Sequence, residues 1–218
     1  MGRKKIGLAA MAALALALCV SVLLLTTYAL FSDTVETDNH LSAGTLKIGL
    51  YQTSMTGNQI DTGGTFGDYS ESIPSGGRDL KTYDGKVFNI ENACPGIYRE
   101  AAFEVRNGGI STAFGLTLEI VNAAADVQGD AASSALLSQM RITVSWGTDG
   151  SETFLLSEEE KTVDLGTVTL PENMAENAVL SSFKVKAEFL NTAENNGAQG
   201  GSVSFDIRVT ATQVTPSA

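Results

Sequence analysis

The sequence predicts an all-β protein, a β-sandwich accompanied by one or two short helices. After residue 40, apolar side chains recur at every second position in several runs, the spacing that places them on one face of a sheet. These runs are rich in Val, Ile, Thr and Phe, and turn-prone Gly, Asn and Asp separate them. About seven to nine strands fit the available length, and the clean alternation favours antiparallel sheets with one solvated face.

The predicted strands follow one another along the chain, and the longest clean alternation starts at Phe114. The segment REAAFEVRNGG ends at Asn107-Gly108-Gly109, a run that favours a turn. In chain order the alternating apolar positions are Leu46, Ile48 and Leu50; Phe103 and Val105; Phe114, Leu116, Leu118 and Ile120; Ile142, Val144 and Trp146; Val163 and Leu165; Phe183, Val185, Ala187 and Phe189; and Val203, Phe205, Ile207, Val209 and Ala211.

Two stretches lack this alternation and predict the helices. Ala124 to Met140 is Ala-rich with apolar residues near helical spacing, which predicts a short helix over one end of a sheet. Pro171 is followed directly by Glu172, the order expected at a helix N-terminus. The charged run Glu158 to Lys161 is interpreted as a solvated hairpin turn.

The segment from Thr53 to Gly85 is a Gly-rich insert with little periodicity. Connections longer than about 12–15 residues are uncommon in compact domains and are usually functional or disordered. Its acids are potential oxygen ligands for calcium, although they do not match the D-x-D-x-D-G loop. They are Asp61, Asp68, Glu71, Asp79 and Asp84.

The N-terminus predicts an export signal. Basic residues precede Ile6 to Leu25, which is apolar except for two positions, and Thr27-Tyr28-Ala29 then resembles a small-residue cleavage site. Cleavage would fall between Ala29 and Leu30. Two alternatives are open: a retained transmembrane helix, because about 20 apolar residues can span a bilayer, and a pilin-like leader cut near Gly7. The signal-peptide and transmembrane interpretations both place the acidic body outside the cytoplasm.

Charge and residue counts argue against several functions. All 25 acidic residues lie after Ala29, and the whole chain carries a net charge of -11, which disfavours binding to nucleic acids. His40 is the only histidine, so a zinc site built from several histidines is excluded. Cys94 precedes the turn dipeptide Pro95-Gly96 and is interpreted as a half-buried turn residue. With no recognisable catalytic motif, we expect no enzyme, no catalytic residues and no cofactor.

Several segments together resemble the start, middle and end of the TasA/camelysin (CalY) family. The start comprises Tyr28 to Thr34 after the leader and Ser42 to Leu46 (SAGTL). The middle comprises Phe88 to Gly96 and Phe103 to Gly109, a strand, Pro-Gly turn, strand and Asn-Gly pattern. Val203 to Gln213 is similar to the family's last strand. The insert departs from the family pattern.

The resemblance implies a jelly-roll sandwich that is secreted by a bacterium and builds or decorates fibres of the biofilm matrix. It implies residues 1–29 as a signal peptide for a SipW-type peptidase, 30–41 as a donor arm and 42–215 as the jelly-roll domain with its insert at 53–85. In the family, the freed arm completes the sheet of a neighbouring subunit or related matrix protein. The donor side chains carried over to this sequence are Leu30, Phe31, Val35 and Leu41.

Some members of the family are described as metallo-endopeptidases, which is the alternative function. A catalytic zinc normally has three protein ligands, often two histidines and a carboxylate. With His40 alone, the chain favours a structural role. A membrane-anchored surface protein with an uncleaved helix is the second alternative.

Overall fold

The computed structural model describes most of the region that follows the apolar head, and all described residues belong to the compact unit Ser32–Ala218. For 32–36 only the backbone is described. The predicted signal peptide with Ala29, together with Leu30, Phe31, His40 and Leu41, lies outside the described residues. The described ranges are 32–36, 47–60, 64–88, 94–109, 113–125, 129–158, 161–169, 175, 177–192, 195–198 and 201–214.

Strands dominate the described residues, which confirms the predicted all-β class. One α-helix, α1 (Ala131–Gln139), and a short 3-10 helix (Asn195–Ala198) accompany them. The strands are β1 (Ser32–Glu36), β2 (Ile48–Ile60), β3 (Phe66–Ser70), β4 (Arg78–Asp79), β5 (Tyr98–Asn107), β6 (Phe114–Ala125), β7 (Met140–Trp146), β8 (Gly150–Leu155), β9 (Thr162–Val168), β10 (Val179–Phe189) and β11 (Val203–Gln213).

The strands form two sheets, and every pair in them is antiparallel. The smaller sheet has the order β1-β11-β6-β9. The larger sheet has the order β3-β2-β5-β10-β7-β8, with β4 paired to β2. Four pairs are nested along the chain, from the first and last strands inwards to two consecutive strands: β1 with β11, β5 with β10, β6 with β9, and β7 with β8. This nesting of pairs brings the first described strand against the last.

One hydrophobic core takes side chains from both sheets. Along β5, buried and half-buried positions alternate without a break, and Phe103 and Val105 are fully enclosed. Phe103 stacks on Phe183 of β10 with ring centroids 5.0 Å apart. From the smaller sheet, Leu118 of β6 and Val209 of β11 are completely buried in the same cluster. Burial of these alternate apolar side chains supplies the main driving force for folding.

The short helix predicted from the stretch 124–140 is present and occupies the second half of that stretch. Strand β6 continues to Ala125, and α1 begins only at Ala131, after Asp130. The Asp130 carboxylate accepts a hydrogen bond from the Ser133 amide at 2.8 Å, which fixes the start of the helix. The second predicted helix, at Pro171, lies outside the described residues. Within the described ranges, no helix is long and apolar enough to span a membrane.

The insert at 53–85 contains strands, because β2 runs through its first part to Ile60. A register shift between Gln52 and Ser54 interrupts the β2–β5 ladder. Buried positions consequently change from even to odd numbers, from Leu50 and Gln52 to Met55. The period-two pattern is lost at the bulge, which is why the sequence showed no strand there. The chain then returns as β3 and β4, both paired with β2.

Candidate assembly edge

The edge of the smaller sheet formed by β1 and β11 is the candidate functional site. β11 lies between β6 and β1. Its ladder with β6 extends from Val203 to Gln213, whereas β1 covers only the stretch from Arg208 to Thr212. Among the described strands, β1 is therefore a short edge strand that pairs on one side only, the kind of element that can be exchanged between chains.

The register places each residue of β1 opposite a defined residue of β11. Val35 is the partner of Val209, and Thr34 is the partner of Thr210. On β11, Ile207, Val209 and Ala211 point into the core and are buried. Because one face of β11 is buried in this way, a strand that pairs with β11 can add in only one register.

The pairing of β1 stops next to an irregular part of β11. A register shift between Ser204 and Asp206 interrupts the β11–β6 ladder. Asn122 of β6 has a positive φ of 54° there and donates a hydrogen bond from Nδ2 to Asp206 Oδ2 at 2.7 Å. Glu36, the last residue of β1, is opposite Arg208, just before this bulge. The regular stretch of β11 that is available for pairing therefore has a defined end.

Of the predicted donor residues, only Val35 belongs to the described part of the chain. There it lies in β1 as the partner of Val209. Ala29, Leu30, Phe31 and Leu41 lie outside the described residues. The β11 residues that receive β1 were not predicted as a site. The alternation in VSFDIRVTATQ predicts a strand, but local periodicity does not specify which distant strand pairs with it.

Cys94 is half-buried and belongs to the predicted turn. Its carbonyl accepts a hydrogen bond from the Ile97 amide at 3.0 Å, across Pro95 and Gly96. Gly96 has a φ of +89°, which favours glycine at that turn position. Burial raises the pKa of the Cys94 thiol, although a backbone hydrogen bond opposes the shift. The thiol is therefore less readily ionised and less nucleophilic than a free cysteine.

The described acids of the insert do not form a cluster. Glu71 pairs with Arg78 at 2.5 Å, and Asp79 accepts from the Lys81 amide at 3.0 Å. Asp68 and Asp84 are exposed, and Asp61 lies outside the described residues. Among the residues that the structure describes, no group of three or more His, Cys, Asp or Glu side chains could hold a metal ion.

No protein-family model and no curated protein matches this chain.

Proposed function

We propose that the protein is a secreted structural subunit of a bacterial extracellular matrix, which forms or decorates fibres by exchanging β1 between subunits. The observation that supports this most directly is the position of β1. It is a short edge strand that follows the apolar head and pairs with the last described strand, β11. The resemblance of the leader and three later segments to the TasA/camelysin family supports the same function.

We infer that the sandwich is a jelly roll. If the β2–β4 hairpin region is set aside, eight strands remain. They pair first with last, second with second-last, and so on inwards: β1 with β11, β5 with β10, β6 with β9, and β7 with β8. A long hairpin that is wound into two sheets gives this order. The β2–β4 region then adds further strands beside β5 at the edge of one sheet.

Exchange of β1 between subunits would keep the main-chain hydrogen bonds of the β1–β11 ladder. The same main-chain hydrogen bonds to the segment from Arg208 to Thr212 form whether β1 comes from the same subunit or from a neighbour. One subunit would donate at its N-terminal arm and accept at its β11 edge. These are two different surfaces, so the contact is head-to-tail and generates an open filament.

Export and assembly are linked in this proposal. The basic and apolar residues 1–29 act as a signal peptide, and a SipW-type peptidase cuts between Ala29 and Leu30. Cleavage removes the apolar head that precedes β1 and leaves residues 30–41 as a donor arm. No catalytic role is assigned to any residue.

A pair of cysteines across the β1–β11 ladder tests the exchange. Thr34→Cys and Thr210→Cys introduce directly opposed positions, at a separation that a disulfide can close. The background carries Cys19→Ser and Cys94→Ser to remove the native thiols. We expect oxidation of assembled material to give a ladder of covalent multimers on a non-reducing gel. Monomers that are oxidised at high dilution should be locked within one chain and should no longer assemble.

The matched control moves one cysteine to the opposite edge of the same sheet. Thr34→Cys is combined with Thr167→Cys on β9, an exposed threonine whose strand pairs with β6. This pair should give no ladder. Deletion of residues 30–41 should leave a folded monomer without filaments. Filaments from the deleted chain, or from the internally locked chain, in electron micrographs would disprove strand exchange.

A further inference from the structure

A cavity of about 460 Å³ lies beside the insert, on the larger sheet and away from the β1–β11 edge. Its walls include Met55 of β2, Tyr69 of β3 and Arg99 of β5. Tyr83 and Lys86, from the segment after β4, close another side. A volume of this size is in the range of small-molecule sites. The insert thus builds a concavity that the β-sandwich alone would not have.

Arg99 is the central feature of this cavity. The residue is only 6% exposed, and its guanidinium lies 3.7 Å from the centroid of the Tyr69 ring. Its Nη1 donates to the carbonyl of Asn58 and, at 3.0 Å, to that of Tyr98. Its Nε is buried and has no hydrogen-bond partner in the part of the chain that the structure describes. No carboxylate there pairs with Arg99 either, so a buried cation is left without a counter-ion.

The remaining charges leave the cavity positive. Glu71 is the acidic side chain of its wall, and Arg78 already neutralises it at 2.5 Å. Arg78 also donates to Gln52 Oε1 at 3.0 Å and lies 4.4 Å from the ring centroid of Tyr83. These contacts fix Arg78 in place. Lys86 is exposed and has no ion pair among the described residues. Arg99 and Lys86 therefore face the cavity as two uncompensated cations in an acidic protein.

We propose that this cavity binds a small organic acid, a carboxylate attached to a six-membered ring, such as a sugar acid. The guanidinium of Arg99 lines the cavity, and guanidinium N–H donors match the two oxygens of a carboxylate. Lys86 at the rim provides a second positive charge. A bare inorganic anion would leave the rest of the cavity unused, because Tyr69, Tyr83 and Met55 also line it and can contact the body of a ring with hydroxyl groups.

The residues that shape the cavity are held rigidly. The Glu71 amide donates to the Met55 carbonyl at 3.0 Å, which ties the end of β3 to β2. The Asn58 side chain accepts from the Tyr98 amide at 2.8 Å and donates to the Gly96 carbonyl at 3.0 Å. The start of β5, which carries Arg99, is thereby fixed against β2. A site preorganised in this way loses little conformational entropy on binding.

Ligand-observed NMR on the full chain in mild detergent micelles tests the proposal. The probes are galacturonate, benzoate, neutral galactose and inorganic phosphate, with empty micelles as the blank. We expect saturation transfer to galacturonate or benzoate and none to galactose. Galacturonate binding alone identifies a sugar-acid site, and benzoate binding alone identifies an aromatic-acid site. Lys86→Met should weaken binding by about tenfold or more, and so should Arg99→Lys, which keeps the charge but loses the fork of donors.

The matched control is Arg106→Lys. Arg106 also stacks on a tyrosine, 4.2 Å from the Tyr51 ring centroid on the same sheet, but it does not line the cavity. This variant should bind the probe as the wild type does. If Arg99→Lys fails to fold, as judged by circular dichroism, the exposed Lys86→Met decides the result. The proposal would be overturned if phosphate or galactose bound as tightly as the organic acids. It would also be overturned if the Lys86→Met variant bound the probes as tightly as the wild type. The site and strand exchange at β11 are independent, so either proposal can fail alone.

Discussion

Gly57 sets how closely β2 approaches β5. It is buried and opposite Arg99 in the ladder. A Cβ atom at this position would collide with the backbone carbonyl of Tyr98 and lie 3.2 Å from the Cα and Cδ of Arg99. Backbone atoms cannot move aside as a flexible side chain can. Glycine is therefore required here by the close contact between two strands, at the point where β5 presents the cavity arginine.

We expect Gly57→Ala to lower the free energy of unfolding by about 1–3 kcal/mol, because the added methyl overpacks the β2–β5 contact. Chemical denaturation followed by circular dichroism measures this change. Gly67→Ala is the matched control, since Gly67 lies on β3 with no atom within 4 Å of an added Cβ. The control should stay within about 0.5 kcal/mol of wild type. Equal losses in the two variants would contradict the close-contact explanation.

Glu188 of β10 makes the stability of the protein depend on pH. Burial acts to raise its pKa, but hydrogen bonds from Arg141 at 2.7 Å and Lys186 at 3.0 Å outweigh burial. The net pKa of Glu188 is lowered from its ordinary value of 4.5. A carboxylate with a lowered folded-state pKa stabilises the protein above its unfolded-state pKa. This contribution is lost as the pH falls through the folded-state pKa.

Glu188→Gln should therefore destabilise the protein at neutral pH, by at most about 1 kcal/mol because solvent screens the pair. The difference from wild type should shrink as the pH falls below 4.5. Denaturation midpoints measured at several pH values give this profile. Glu152→Gln on β8 is the control, since Glu152 is exposed and has no ion pair in the described part of the chain. A difference that is independent of pH would show that Glu188 acts by packing alone.

The apolar alternation predicted most strands, and the strands that it missed have physical causes. β8 was missed because its exposed Ser151, Glu152 and Thr153 leave only Phe154 buried within the strand. The middle of β2 was missed because a bulge shifts its buried face by one residue. In each case the local sequence is polar although the segment is a strand, because pairing with a neighbour overrides local preference. The cavity could not be predicted at all, since its walls come from distant strands.

Helix α1 depends on a polar link at its start. Asp130 accepts from both the amide and the hydroxyl of Ser133, at 2.8 and 2.5 Å. The same Ser133 hydroxyl oxygen accepts from the Ser202 amide at 3.0 Å. These hydrogen bonds from Ser133 lower the pKa of Asp130, the side-chain bond first. The helix N-terminus and the entry to β11 are thus joined through one serine.

Asp130→Ala should lower the midpoint of thermal unfolding, because it removes the N-cap and leaves Ser133 without its acceptor. Asp130→Asn should retain much of the stability, since asparagine is also a good N-cap. Differential scanning calorimetry at neutral pH compares the two variants. An Asn variant as unstable as the Ala variant would point to the charge rather than to the cap geometry.

The molecule has two surfaces with different proposed functions, one for assembly and one for ligand binding. The β1–β11 edge lies on the smaller sheet, and the cavity lies on the larger sheet beside the insert. The core alternation predicted the class of fold, but neither surface follows from it. The edge depends on which strands become neighbours, and the cavity depends on an insert that the sequence pattern left without strands. A subunit with this arrangement could assemble through one sheet and keep its ligand site open on the other.

Because the first described strand pairs with the last, the two partners become available at different times. A chain that is exported N-terminus first presents β1 long before its own β11 emerges. Closing so long a loop is also entropically slower than forming local contacts. Under the proposed strand exchange, the open β11 edge of an older subunit would compete for the new arm during that interval. The order of emergence would therefore favour addition of β1 to the end of an existing filament over pairing with β11 of the same chain. A new subunit would join the filament before its own β1–β11 pair could form.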